Sequence, residues 1–201
     1  MTSFWITVNK VIDDADVVLE VLDARFPEET RNKEIENKLR KNHKKIIFIL
    51  NKSDLVKEKF SDLRFEFEPY VFVSAKNNLG TTRLRSMLKD LEREKANSYE
   101  RIKSSVKKAN VEVKPLLVGV LGYPNTGKSS LINVLRQRKA ALTSSTPGFT
   151  RGMQKIRIDR NIYLIDTPGV FAYKEAKMGD EEKHVLVNIK DYRKIKDPDF
   201  A

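Results

Sequence analysis

Cysteine is absent from the 201 residues, so disulfides and thiolate zinc sites are excluded. Only His43 and His184 carry imidazoles, too few to build a structural zinc centre alone. Long apolar runs are missing too. The longest, Ile46–Leu50 (IIFIL), has the length of a strand, far short of the ~20 residues that span a bilayer. The opening stretch MTSFWITVNK lacks the charged, apolar and small-residue regions of a secretory signal. These absences lead us to expect a soluble protein of a reducing cytoplasm, with no membrane and no zinc.

Positive charge is what the chain has in excess. The formal net charge is +11, which points to a polyanionic partner, because clustered Lys and Arg release phosphate counterions on binding. Residues 136–160 carry seven Lys/Arg against one acid and residues 31–45 seven against two, whereas residues 170–201 balance at seven and seven. The excess therefore belongs to the body of the domain. We expect direct RNA contact along 136–160, against the simpler reading that Lys155 and Arg157 protect a sheet edge. The stretch 31–45 reads as a solvated helix face.

Six strand-like runs occur at Asp16–Leu22, Lys45–Leu50, Tyr70–Val73, Leu116–Leu121, Met153–Asp159 and Asn161–Ile165. Most are continuously apolar, the pattern of parallel strands buried on both faces. Met153–Asp159 alternates instead, with Ile156 and Ile158 opposed by Lys155, Arg157 and Asp159, which predicts an antiparallel edge strand. Helical stretches are expected near 3–13, 31–43, 55–64, 81–109 and 128–138. Alternating strand and helix give a three-layer α/β fold with a six-stranded, mostly parallel sheet. In such a sheet, ligands bind outside the carboxyl ends of the strands.

Four motifs fall at those ends. Gly122–Ser129 (GYPNTGKS) matches GxxxxGK[ST] between a strand and a helix, the context of a phosphate-binding P-loop. Backbone amides across Asn125, Thr126, Gly127, Lys128, Ser129 and Ser130 would face the phosphates at a helix start. Lys128 would reach the β- and γ-phosphates, and the Ser129 hydroxyl would help hold Mg2+. Asp166-Thr-Pro-Gly169 (DTPG) ends another strand, offering Asp166 to Mg2+ and the Gly169 amide to the γ-phosphate. Asn51-Lys-Ser-Asp54 (NKSD) reads as a guanine reader: Asp54 can accept both N1–H and N2–H, donors that adenine lacks. Asn51 would bond the base and tie loops together, the Lys52 stem would lie along the purine, and Ser53 completes the turn. Ser74-Ala75-Lys76 (SAK) would bring a backbone amide near Ala75 to the guanine O6.

Three further residues bear on hydrolysis. In SSTPGFTRG (Ser144–Gly152), Thr150, ahead of Thr146, would close over Mg2+ and the γ-phosphate as switch loops do. Val170 follows DTPG where many GTPases place a water-orienting Gln, so another group must supply that help. Asn125 either holds K+ beside the phosphates or simply stabilises the loop turn.

The base reader leads and the phosphate loop follows, the reverse of an ordinary GTPase, so the chain reads as circularly permuted, with 81–114 as the new join. The motif order and the segment VLDARFPEETRN (Val21–Asn32) resemble the YlqF/YawG family of circularly permuted GTPases over nearly the entire chain. That resemblance implies a cytoplasmic assembly factor, mostly of the large ribosomal subunit, hydrolysing GTP slowly until it meets the particle. It also implies potassium-stimulated hydrolysis, fitting Asn125, and an apolar residue at Val170. The Gly-His-Met segment that opens many members has no counterpart ahead of Val11. Residues 1–190 are expected to form the GTPase domain. Residues 191–201, the end of NIKDYRKIKDPDF and Ala201, form a stub leading toward a helical RNA-binding domain that is absent or truncated.

The leading expectation is therefore a monomeric GTP-hydrolysing switch that acts on a ribosomal particle and its rRNA. A GTP-dependent RNA- or protein-binding module with negligible turnover is the alternative, and a small-molecule kinase is a third. Guanine over adenine preference separates the first two from the last.

Overall fold

In a computed structural model, the structure describes residues 3–105, 113–137 and 154–166. Helix α1 (Ser3–Asp14) leads into β1 (Val17–Asp23), followed by α2 (Pro27–Thr30), α3 (Lys33–Lys41) and β2 (Lys45–Asn51). A 3-10 turn over Ser53–Leu55 and an irregular stretch precede β3 (Tyr70–Phe72) and the long α4 (Thr81–Ser105). Next come β4 (Leu116–Gly122), α5 (Lys128–Gln137), β5 (Gln154–Asp159) and β6 (Ile162–Asp166).

The six strands form one sheet in the order β3-β2-β1-β4-β6-β5. All neighbours are parallel except β5 and β6, so β5 is the antiparallel edge strand. There Ile158 is buried and Lys155 and Arg157 are exposed, the alternation of a strand with one wet face. β1 and β2 are buried almost throughout, as central parallel strands must be.

A separate apolar cluster packs on each face of the sheet. One joins Val8, Val11 and Ile12 of α1 and Ile35 and Leu39 of α3 to Val18, Leu22 and Phe48. The other joins Leu84 and Leu88 of α4 and Leu131 and Leu135 of α5 to Leu19, Ile49 and Leu164. The result is the expected three layers. Gly119 lets α1 lie close on β4, since a Cβ there would stand 2.6 Å from Val11 Cγ1. α3 starts where its sequence directs: Asn32 accepts the Ile35 amide at 3.1 Å, with Glu34 and Glu36 in the first turn.

α4 carries the chain from the carboxyl edge of the sheet back to its amino edge. Lys95 fastens that return, its ammonium meeting Asp16 Oδ2 at 2.6 Å and the Pro115 carbonyl at 2.9 Å, just where β4 begins. Residues 81–105 of the expected join are thus a helix lying on one face of the sheet.

Two expectations need correction. Residues 55–64 are not a helix. Only Ser53–Leu55 turns, and the chain beyond it is irregular because its aromatics are drawn to the sheet edge. Phe60 stacks on Phe72 with centroids 4.2 Å apart, and Phe67 packs on Phe48 at 4.6 Å. The second concerns the basic face of 31–45. Lys33 and Lys41 are exposed, but Arg31 is not. Its side chain, 9% exposed, pairs with the fully buried Glu36 at 2.8 Å and lies over the Phe67 ring at 4.4 Å.

Candidate functional site

The carboxyl ends of β1, β2, β3, β4 and β6 lie side by side along one edge of the sheet. NKSD leaves β2, SAK leaves β3, GYPNTGKS leaves β4, and Asp166 is the last residue of β6. Three motifs far apart in the chain, with Asp166 of the fourth, are therefore gathered on the edge where an α/β sheet binds its ligand.

Asn51 joins three of these loops. It is buried; its Nδ2 donates to the Thr126 carbonyl of the phosphate loop at 2.7 Å, and its Oδ1 accepts the Ala75 amide of SAK at 3.1 Å. The loop-tying role foreseen for Asn51 is thus in place. The Ala75 amide, foreseen as a donor to the base, is engaged with Asn51, and the next amide along the loop is that of the exposed Lys76. Ser74 is fully buried, and its Oγ accepts the Asn77 amide at 3.1 Å, which turns SAK back on itself.

The base-reading loop is tightly wound. Lys52 is left-handed at φ 60°, and Ser53 is buried with its amide on the Val73 carbonyl at 3.1 Å. Asp54, in the 3-10 turn, has a buried Oδ1 with no hydrogen-bond partner among the described residues. A buried carboxylate oxygen costs free energy unless a donor meets it, and a purine edge carrying N–H groups is such a donor.

The phosphate loop has the expected strand-loop-helix form. Thr126 is fully buried and donates to the Tyr123 carbonyl at 2.9 Å; Asn125 is left-handed at φ 60° and exposed. Gly127 has φ +91°, and a Cβ there would stand 2.3 Å from Asn51 Nδ2, so glycine alone fits. Lys128 opens α5 with its ammonium turned into the loop, on the carbonyls of Gly122 at 2.9 Å and of Tyr123. Burial pushes that ammonium down to about 8, the state of a cation held out of water in want of an anion. Ser129 and Ser130 are exposed in the first turn of the same helix.

The carboxyl end of β1 supplies residues that no role was foreseen for. Asp23 has a fully buried side chain; its carboxylate receives Lys52 Nζ at 2.8 Å and Arg25 Nη2 at 2.7 Å. Burial alone would raise the Asp23 carboxyl, but hydrogen bonds from Arg25 and Lys52 outweigh it and hold it below the usual carboxylate range. Ala24 donates to the Asn51 carbonyl at 2.7 Å. The segment VLDARFPEETRN was the available signal.

Thr150, Thr146, Gly169 and Val170 lie outside the described residues, as does most of the basic stretch 136–160. The structure brings together Asn51, Lys52, Ser53, Asp54, Ser74, Ala75, Lys76 and residues 125–130 on one edge, with the end of β6 beside them.

Comparison with known proteins agrees with this geometry. A family model described as 50S ribosome-binding GTPase matches residues 117–199. An uncharacterized GTP-binding protein of Methanocaldococcus jannaschii is 44% identical over 193 residues, covering 95% of this chain and 46% of its own length. Nucleolar GTP-binding protein 2 of Saccharomyces cerevisiae is 37% identical, covering 83% of this chain and 33% of its own length. The chain thus spans less than half the length of these relatives. Among solved structures, GDP-bound YlqF from Thermotoga maritima superposes with a TM-score of 0.59 at 22% identity, over 96% of this chain and 70% of YlqF. The GNP-bound form gives 0.59 at 20% identity, over 99% and 71%. With its motif order, its sheet and these relatives, the chain belongs to the same GTPase family as these GTP-binding proteins and has the circularly permuted fold of YlqF.

Proposed function

We propose that the chain binds GTP and hydrolyses it to GDP and phosphate as a switch in large ribosomal subunit assembly. The observation that carries the nucleotide part is the buried Oδ1 of Asp54, unpartnered among the described residues, on the edge where Asn51 fastens all three loops together. Guanine N1–H and N2–H meet that carboxylate; adenine offers neither donor. The loop amides from Asn125 to Ser130 receive the phosphates, and Lys128 exchanges its two carbonyl contacts for phosphate oxygens.

Exposed Ser129 lies at the start of α5, which follows β4, and Asp166 ends the neighbouring β6; hydroxyl and carboxylate oxygens are the donors that suit Mg2+. When bound, that ion neutralises charge on the phosphates. Asn125 is the residue assigned to K+ in this reading, and Thr150 and the Gly169 amide are assigned to the γ-phosphate. Nucleotide-dependent ordering around them would be relayed to 170–201 and to the basic flank 136–160, which we assign to rRNA. No helix among the described residues is long and apolar enough to cross a membrane. The proposed working form is a monomer at the place of large-subunit assembly, the cytoplasm in a cell without a nucleolus.

The test is GTP hydrolysis in potassium buffer with and without purified large subunits, alongside Lys128→Ala. Stimulation that disappears with Lys128→Ala supports the switch. GTP binding with no turnover under either condition supports instead the binding module that Val170 favours. Preference for ATP overturns both.

A further inference from the structure

We propose that the free edge of β2 beside Lys45–Ile47 is a docking groove for an extended segment of another protein, which adds to the sheet as a short strand in line with β3. The groove lies at the end of the sheet opposite the nucleotide motifs and does not depend on them.

β2 runs over seven residues, but β3 pairs only with Phe48, Ile49 and Leu50. In a parallel ladder, alternate residues turn their main-chain groups to the same side. Phe48 and Leu50 face β3: the Phe48 amide donates to the Pro69 carbonyl at 2.9 Å, and the Leu50 carbonyl accepts the Val73 amide at 2.9 Å. Ile46 shares their orientation, and its amide and carbonyl meet no strand there among the described residues. In this register residue 69 stands where a donor to the Ile46 carbonyl belongs, and a proline has no N–H to give. The chain reaches β3 instead from the α3 side, where Phe67 packs on Phe48 with centroids 4.6 Å apart. The place beside Ile46 is left open.

A cavity of about 520 Å3 fills that place, within the range of sites that enclose a ligand. Lys45–Phe48 line its sheet side, together with Glu68 and Pro69 just ahead of β3. Arg40 and Lys44 stand on the α3 wall, and Met87, Asp90, Leu91 and Glu94 on the α4 wall. An unpaired edge is a template for strand addition, in which main-chain bonds give affinity and the walls select side chains. Successive side chains of an added strand point to opposite walls. The one beside Ile46 points to the α3 wall, where Arg40 and Lys44 suit an acid. Its two neighbours point to the α4 wall, where half-buried Met87 and Leu91 suit apolar groups and Asp90 and Glu94 repel acids. Lys45 is already engaged with Glu94 at 2.6 Å. The occupant is therefore an extended peptide with an acidic residue between two apolar ones. The groove's lining holds three cations and three acids, so it has no net charge to draw a nucleic acid backbone.

The experiment titrates the 15N-labelled 201-residue chain with the peptide acetyl-Thr-Leu-Glu-Leu-Thr-amide and follows the Ile46 amide by NMR. Two main-chain hydrogen bonds and two apolar side chains predict saturable binding with a Kd of about 0.1–1 mM. The same peptide with its backbone nitrogens methylated is expected not to bind, and the version with Lys in place of Glu to bind about tenfold more weakly. Leu91→Glu, which sets an acid on the apolar wall, is expected to weaken the first peptide about tenfold and leave GDP binding unchanged. Should Leu91→Glu fail to fold, the three peptides on the wild-type chain decide the matter alone. No saturable shift at Ile46 at any soluble concentration, or equal binding of the methylated peptide, would overturn the inference. A single-stranded RNA oligomer that shifts Ile46 where the peptide does not would overturn the protein occupant.

Discussion

Replacing Asn51 by Ala removes two buried hydrogen bonds at once. The 2.7 Å bond to the Thr126 carbonyl and the 3.1 Å bond from the Ala75 amide both vanish, leaving a carbonyl and an amide unpaired among buried residues. Each unsatisfied buried group costs about 1–3 kcal/mol, so the loss expected is about 2–6 kcal/mol, less where water reaches the separated loops. Against a domain stability of about 5–15 kcal/mol, that is a large fraction. Urea denaturation reads it as a lower midpoint at unchanged slope. A shift below about 0.5 kcal/mol would refute the claim that Asn51 fastens the three loops, because ordinary surface substitutions change stability by that much.

Gly127→Ala forces a Cβ at φ +91° against Asn51 Nδ2, and is expected to cost about 1–3 kcal/mol in the same urea assay. That penalty should shrink in the Asn51→Ala background, and an equal penalty there would separate the two residues. Glu20, buried in β1, has its carboxyl pushed up to about 8, mainly by burial, with Oε1 accepting the Asn32 amide at 2.8 Å. The folded protein thus takes up a proton that the unfolded chain has released, between the ordinary glutamate range and about pH 8. On this account stability falls as pH rises through that window, and Glu20→Gln should flatten the dependence; an unchanged pH profile would contradict it.

The strands were legible because a parallel sheet buried on both faces leaves continuous apolar runs such as Ile46–Leu50, and each observed strand begins and ends within two residues of its run. The edge strand was legible for the opposite reason, its alternation of Ile156 and Ile158 with charge. The motifs could be placed because each follows a strand. What the residues alone concealed were partners distant in sequence. Phe60 looks compatible with a helix until Phe72 offers it a ring to pack on. Arg31 looks solvated among its charged neighbours until Glu36 and Phe67 enclose it. Asp23 becomes meaningful only when Lys52, on the neighbouring strand end, folds back to meet it. Local periodicity carries no trace of such a pairing.

The central claim, that this sheet edge reads guanine through Asp54, is tested most directly by titrating wild-type and Asp54→Asn protein with GDP and XDP. Xanthine has a carbonyl where guanine has the 2-amino group, so an amide at position 54 should suit it better. Two lost hydrogen bonds to a charged group are worth about 3–6 kcal/mol, which predicts a GDP affinity lower by about a hundredfold or more and XDP bound in its place. An Asp54→Asn protein that binds GDP as tightly as wild type would contradict the account.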